Sequence, residues 1–506
     1  MAGMSEKKTD EDFCSEPILT APNEAEWIRS AQPGLDPRPA TSHDGSVIYI
    51  WRQHLAAFLA NIPSLVTGIT IGWTAPAVPI LLGQVEDAQP LRLSLEQASW
   101  VGGLMPLASL GGALVAGPLA ERVGRKGALL LGALPTLVGW LLMAFAGPSV
   151  WLLMVGRALT GLALGAVSGP VSLYCEEVAD IRVRGALGSL HFAMQCVGLL
   201  VVYTLGASLP YFWFTVSAAI LPVVFVFSFC WMPESPAYLA ACGRVSDAQH
   251  ALRWLRGPDV DFKAEVENML ASRSQATTHQ EISLCSLCSN RPWQSNALRS
   301  LALVIALMFF QQMSGICMFT FYLVQLFQQA GGNISSSLSS IIAATAFVIS
   351  TIAATATVDR IGRRFLLLVS AILMGFCLFT LALYAQLNSD NWDTAGWRWV
   401  PLVSVVTYTV AFTTGFGPVP WFLMAELLPM YSKGWASALG VCTNRIIMFI
   451  VVKESPLLLE HAGPVATYII FGVICVISAF FIFFCVPETK GKNKADILKE
   501  IGGENA

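Results

Sequence analysis

Glu121-Arg122-Val123-Gly124-Arg125-Lys126 closes one long apolar stretch, and Asp359-Arg360-Ile361-Gly362-Arg363-Arg364 closes another in the second half of the chain. The same sequel follows each copy, in the same order. An acid stands about two helical turns ahead of a basic residue and Gly, as Glu177 before Arg184-Gly185 and Glu426 before Lys433-Gly434. Later comes Pro233-Glu234-Ser235-Pro236 in one half and Pro487-Glu488-Thr489-Lys490 in the other. Ordered matches of this kind in two apolar halves describe a duplicated membrane bundle.

Composition agrees. Hydrophobic residues make up 55% of the 506 and charged residues 12%, and mean hydropathy is +0.61, so much of the surface must face lipid. The net charge of -3 comes with no basic stripe or aromatic platform, which sets nucleic acid aside. Windows long enough to cross the hydrocarbon core fall near 53–82, 97–119, 128–147, 150–173, 188–208, 212–232, 299–328, 338–358, 365–387, 398–428, 435–453 and 464–486. The expected fold is therefore an all-α membrane protein of twelve transmembrane helices in two pseudo-symmetric six-helix bundles. The bundles cover 51–232 and 299–486, between a cytosolic tail (1–50), a cytosolic loop (233–298) and a second tail (487–506). The first, seventh and tenth spans exceed the membrane thickness, which permits tilt or a broken helix.

The tails, the Gly-Arg loops, the 233–298 segment and neighbouring turns hold about 25 of the 30 Lys and Arg, so both termini are expected in the cytosol. Residues 1–50 are polar and lack the basic start and apolar core of a signal peptide, so they are expected to be a disordered tail. Glu16-Pro17-Ile18-Leu19 resembles an acidic dileucine sorting signal, but the acid lies closer to the aliphatic pair than the usual spacing. The plasma membrane is favoured over an endosome or lysosome on that ground. Most of the twelve cysteines sit within spans and read as packing residues rather than a disulfide framework. Cys285 and Cys288 form a lone CxxC with no second pair or His cluster beside it, so no metal is expected. Asn333-Ile334-Ser335 is a glycosylation sequon placed close to the membrane and reads as a turn. In the loop, Ala248, Leu252 and Leu255 recur at helical spacing, and Val266, Met269 and Leu270 begin another such run. Both are expected to lie on the cytosolic face over the joint between the halves, ahead of a Ser/Thr/Gln linker.

Within the spans, Gly161, Gly165 and Gly169 strip one helix face of side chains, which lets another backbone approach. Gly415-Phe416-Gly417-Pro418-Val419-Pro420-Trp421 places two prolines and two glycines in the tenth span. It predicts a helix break beside an aromatic ring, a hinge or mobile gate.

With Gly156-Arg157-Ala158-Leu159-Thr160-Gly161, Gln311-Gln312-Met313-Ser314-Gly315-Ile316, Gly417-Pro418-Val419-Pro420-Trp421 and the Gly-Arg and Pro-Glu motifs above, the chain resembles the sugar porter family of the major facilitator superfamily from about residue 50 to 495. Gln97 to Leu107 and Trp254-Leu255-Arg256-Gly257 resemble its branch of facilitated trehalose transporters and intracellular-type glucose transporters. The resemblance implies a facilitative sugar carrier that works by alternating access as a monomer in the bilayer, with no cofactor. By the same resemblance Gln311, Gln312, Trp421 and Asn444 would bind the sugar, and Phe321 and Tyr322 would help close the outer gate. Gly415, Pro418 and Pro420 would form the hinge. Arg125, Glu177, Arg184 and Glu234 in one half, and Arg363, Arg364 and Glu426 in the other, would form the cytosolic charge gate.

Several positions depart from the family pattern. Phe192 stands for a span-five Gln, Cys317 for a span-seven Asn, Phe347 for a span-eight Asn and Thr413 for a span-ten acid, with Cys317 and Thr413 kept as candidate contacts. Each lost amide removes a hydrogen bond worth about 0.5–1.5 kcal/mol, so glucose specificity does not carry over. Ala237 replaces the Arg that often follows Pro-Glu-Ser-Pro. Arg445 stands where the family usually has Trp, and a charge at the bilayer centre costs about 2.5–3.5 kcal/mol unless hydrated or paired. It is solvated in the vestibule or bonded to backbone, or else it meets an anionic or atypical substrate. Proton-coupled relatives carry a span-one Asp beside the span-four Arg; here the position is Thr74 beside Arg157, which predicts uniport. The alternatives are a proton-coupled or anion-preferring carrier using Arg445, or a sugar sensor, which would be expected to carry a long signalling tail. No nucleophile-base arrangement suggests an enzyme.

Overall fold

The computed structural model describes residues 50–85, 87, 89–180, 183–257, 295–331, 334–390, 392, 395–428, 433–490 and 492. The tail with Glu16 to Leu19, the run from Val266, the Ser/Thr/Gln stretch, the Cys285 and Cys288 pair and Asn333 lie outside the described residues, as does the Arg184 side chain.

Among the described residues twelve helical segments are long and apolar enough to cross a membrane, each overlapping one expected span. The first span is α1 Ile50–Ala60, α2 Ile62–Gly72 and α3 Thr74–Leu81. Spans two to six are α4 Leu95–Val123, α5 Arg125–Ala144, α6 Val150–Val178, α7 Arg184–Ser208 and α8 Tyr211–Phe229. Two short helices follow, α9 Pro236–Ala241 and α10 Val245–Arg256. The seventh span is α11 Ser295–Met313 with α12 Ile316–Ala330; the eighth and ninth are α13 Ser336–Ile361 and α14 Arg363–Ser389. The tenth is α15 Val400–Thr414 with α16 Val419–Leu427, and the last two are α17 Lys433–His461 and α18 Gly463–Cys485.

All three over-long spans are broken, and each break has a local cause. Pro63 opens α2 without an N–H to give, and just before it the Asn61 amide adds a side-chain hydrogen bond to Ala57 O at 2.8 Å. Gly315 sits between α11 and α12 at φ +95°, in the left-handed region that favours glycine. The Gly415 to Pro418 run separates α15 from α16.

The packing follows a pseudo-two-fold. In the first half α4 packs on α6, α5 on α6 and α8, and α2 on α7. The corresponding contacts of the second half join α13 to α15, α14 to α15 and α18, and α11 to α17. The halves meet through a symmetric pair of seams, α4 with α17 and α7 with α13. Ala248, Ala251, Leu252 and Leu255 are the buried face of α10, as their spacing predicts. That helix docks on the first half, packing on α1, where Arg52 Nη1 donates to Trp254 O at 3.0 Å.

The glycine face of α6 explains the α4 seam. A Cβ on Gly161 would lie 2.3 Å from Met105 O, and one on Gly165 would lie 2.0 Å from Ser109 O, so the two backbones touch. At Gly169 the nearest atom is the Ala116 Cβ at 3.9 Å, an ordinary contact. Gly165→Val should therefore force the helices apart and cost about 1–3 kcal/mol or more, whereas Gly169→Ala should be near neutral. Thermal unfolding of the two variants in detergent checks the contrast.

Candidate functional site

The breaks in the seventh and tenth spans face each other, and a chain of side-chain amides fills the space between them. Losing the helical hydrogen bonds at Pro418 and Pro420 leaves carbonyls in need of donors. Gln311 Nε2 donates to both Phe416 O and Gly417 O, each at 2.8 Å. Asn444 Nδ2 donates to Gln311 Oε1 at 2.8 Å, Gln312 Nε2 donates to Asn444 Oδ1 at 3.0 Å, and the Cys317 thiol donates to Gln312 Oε1 at 2.9 Å. The amides thus run in one direction, each accepting from the next. Gln311 is 3% exposed and has both N–H groups committed to the tenth span; Gln312 is 9% exposed and has one N–H committed, to Asn444. The Tyr408 hydroxyl, donating to Ser314 O at 3.0 Å, ties the tenth span to the seventh at its break.

Gly415 is required by proximity, since a Cβ there would lie 2.5 Å from Leu366 O. Thr413 is fully buried and its hydroxyl lies 2.8 Å from Ser350 Oγ and 3.1 Å from Thr409 O, so it ties α15 to α13. Trp421, on α16, is half-buried, as is Arg445, midway along α17 next to Asn444. The structure therefore gathers Gln311, Gln312, Cys317, Asn444 and Arg445 around the α11–α17 contact, with Trp421 on the neighbouring α16, and places Thr413 outside that chain.

Two family departures meet across the joint. Phe192 of α7 and Phe347 of α13 pack edge to face with centroids 6.1 Å apart, and Phe347 stacks on Phe412 at 6.4 Å. Positions expected to offer amides instead form an apolar contact between the halves. Each substitution is visible in the sequence, but nothing there shows that the two rings touch.

At the end of the bundle away from the Gly-Arg loops the halves are in contact. Phe321 and Tyr322 are fully buried, and Tyr322 is kinked out of helical geometry. Its hydroxyl donates to Val452 O at 2.9 Å, and a Cβ on Gly102 would come within 2.4 Å of it. The Tyr203 hydroxyl donates to Thr320 O at 2.7 Å, Trp100 packs 6.0 Å from Phe449, and Lys453 Nζ sits 5.3 Å above the Trp100 ring.

The charged end carries the repeated motifs. Arg125 and Glu177 pair at 2.8 Å with Ser235 Oγ also on the carboxylate, and Arg363 and Glu426 pair at 3.5 Å. Both ion pairs lie within one half. Glu234 accepts from Lys126 N at 3.0 Å, and Glu488 accepts from Arg363 N at 3.1 Å and Arg364 N at 3.2 Å. The Pro-Glu acids therefore satisfy the first N–H groups of α5 and α14, where the helix dipole also favours an anion. That role was not legible from sequence, because the acid caps a helix far from it in the chain.

In the first half, Arg157 is fully buried and satisfied by neutral groups alone. It donates from Nε to Val101 O at 3.0 Å, from Nη1 to Thr70 O at 2.8 Å and from Nη2 to Thr74 Oγ1 at 3.0 Å, and it lies 5.2 Å over the Trp73 ring.

The profile of the family described as "Sugar (and other) transporter" matches residues 56–499. Facilitated trehalose transporter Tret1 of Polypedilum vanderplanki is 36% identical over 466 residues, which cover 92% of this chain and 90% of that protein. The protein of the same name from Aedes aegypti is 36% identical over 467 residues; the match covers 92% of this chain but 56% of the relative, so the chain spans little more than half its length. Among solved structures, the partially occluded inward-open conformation of the xylose transporter XylE from E. coli superposes with a TM-score of 0.72 at 22% identity, covering 88% of this chain and 100% of that one. The likeness is one of fold.

The amide chain predicts unequal costs for its two glutamines. Gln311→Met keeps the volume but strands two buried carbonyls and the Asn444 amide, at about 1–3 kcal/mol for each group left unpaired. Gln312→Met strands fewer. Melting in detergent should show the larger loss for Gln311→Met.

Proposed function

The chain belongs to the sugar (and other) transporter family, and from that premise we propose that it is a facilitative carrier which moves a sugar or related polyol down its gradient by alternating access. The observation that carries the uniport reading is the environment of Arg157. Its three guanidinium nitrogens bond to two carbonyls and the Thr74 hydroxyl. A proton-coupled cycle needs a group near this cation that gains and loses a proton. Thr74 cannot serve, and the span offers no carboxylate in its place.

The sugar reading is supported by relatives named as trehalose and xylose transporters and by the chemistry of the amide chain. A polyol needs amide and hydroxyl partners for its hydroxyls and an aromatic face for its C–H side. Gln312 and Trp421 offer these, with Asn444 and Gln311 holding each other and the hinge carbonyls in this state. The contacts at the end away from the Gly-Arg loops, through Phe321, Tyr322, Trp100 and Lys453, are read as the closed outer gate. Gly415, Pro418 and Pro420 are the hinge of the tenth span. Arg125, Glu177, Arg363, Arg364 and Glu426 are read as the inner gate, to which the family resemblance adds Arg184, and Glu234 fixes its frame. The distribution of Lys and Arg supports cytosolic termini, and the plasma membrane is the proposed location, with a monomer as the working unit.

The purified protein in liposomes should catalyse counterflow of labelled glucose or trehalose, unchanged by an imposed proton gradient. Counterflow that collapses when the gradient is dissipated would count against uniport. Thr74→Asp places a titratable group beside Arg157 and should make the exchange rate depend on pH, which the parent protein should not show between pH 5.5 and pH 7.5, roughly the range in which an unperturbed histidine titrates.

A further inference from the structure

Two arginines within the spans, Arg157 fully buried and Arg445 half-buried, differ in how their donors are used. Arg157 has its guanidinium bonded on all three nitrogens. Arg445 is the thirteenth residue of α17, about 18 Å along the helix from its first residue at 1.5 Å per residue. Its Nε is buried with no hydrogen-bond partner among the described residues. Its Nη1 meets only the Met448 thioether, at 3.9 Å, a weak acceptor. The ion pairs of the described residues do not include it.

The neighbours leave this charge uncompensated. Asn444 is committed to Gln311 and Gln312. His191, on α7 of the other half, lies close enough to interact electrostatically with Arg445, as does Cys317. Both ring nitrogens of His191 are occupied, Nδ1 at 2.7 Å from Ser64 Oγ and Nε2 at 3.0 Å from Gln195 Nε2. Ser64 in turn donates to Asn61 Oδ1 at 3.1 Å, so Nδ1 carries the proton and Nε2 accepts from Gln195, a neutral ring with its hydrogen bonds made. Neither half supplies an acid to Arg445 at this depth among the described residues.

We infer that the anion is brought by the substrate: Arg445 recognises a carboxylate on a sugar-like polyol, a hexuronate, beside the amide of Gln312. The inference rests on the carrier reading above for its polyol part. One guanidinium offers one positive charge and a planar fork, which matches the single charge and planar oxygens of a carboxylate. A phosphate dianion would keep one charge unmatched.

The test uses the full-length protein, as wild type, Arg445→Trp and Arg445→Lys, with glucuronate, glucose and glucose 6-phosphate as probes. Binding is read as ligand-induced thermal stabilisation in detergent, and transport as counterflow in liposomes. In the wild type, glucuronate should be preferred over glucose by about tenfold or more; Arg445→Trp should lower that ratio at least as much, and Arg445→Lys should keep part of it. A wild type that prefers glucose, or a ratio unchanged in Arg445→Trp, overturns the inference even if glucose exchange is brisk. Stronger binding of glucose 6-phosphate overturns the carboxylate assignment. Arg445-dependent stabilisation by glucuronate with no counterflow of any probe would uphold the anion site and refute the carrier reading instead.

Discussion

A chain that breaks its helices inside a membrane must supply its own partners for the exposed backbone, because hydrocarbon offers none. In this protein that requirement organises the interior. The tenth span breaks at Gly415 to Pro418, and the loosened carbonyls of Phe416 and Gly417 are taken by Gln311 of the seventh span. Asn444 of the eleventh span completes Gln311, and Gln312 completes Asn444. Three spans are thereby tied at one depth. In the first half, Arg157 of the fourth span donates to Thr70 O of the first span. The pseudo-two-fold relates the first span to the seventh and the fourth to the tenth, so the same two spans are joined by a side-chain-to-backbone bond in each half, with the donating and accepting spans exchanged.

The duplicated motifs serve a second constraint, at the charged end. Gly124 and Gly362 stand at φ +89° and φ +112°, ahead of α5 and α14, and each following helix presents unpaired N–H groups. Glu234 and Glu488 reach back from the ends of the sixth and twelfth spans to accept them. The acid of each Pro-Glu motif thus fastens the last span of its half to the third. A basic-residue count accounts for the arginines of these loops but has no use for the acids, and helix capping supplies the missing reason for their recurrence.

Much of the fold was legible in the sequence because its signals are local. Span length, the order of the repeated motifs and the four-residue spacing of Gly161 and Gly165 are properties of short windows, and the helices follow them. The break in the tenth span was legible from its prolines, whereas those at Asn61 and Gly315 were visible only as excess length. Within the candidate site, the residue types were legible and their connections were not. Gln311 reads from sequence as a sugar contact, yet its amide is spent on a backbone more than a hundred positions away. The contact of α10 with α1 was not legible for the same reason, since an amphipathic face shows that a helix docks but not where.

Phe192 and Phe347, read singly, are two lost amides. In contact they are a replacement of one kind of interaction by another. Aromatic pairs of this geometry contribute about 0.5–1.5 kcal/mol beyond the area they bury, and this one spans the joint between the halves. Any motion that separates α7 from α13 must give up that contact, so the pair acts on the equilibrium between states as well as on the lining. The polar groups left near the joint are then few and concentrated: Gln312, Asn444 and the open valence of Arg445 lie together on the α11 and α17 side, while the α7 side presents a satisfied His191 and the Phe192 ring. Under the carrier reading proposed above, a ligand in that space would meet hydrogen-bonding partners mainly from the second half and apolar surface from the first, so recognition would be concentrated in one bundle.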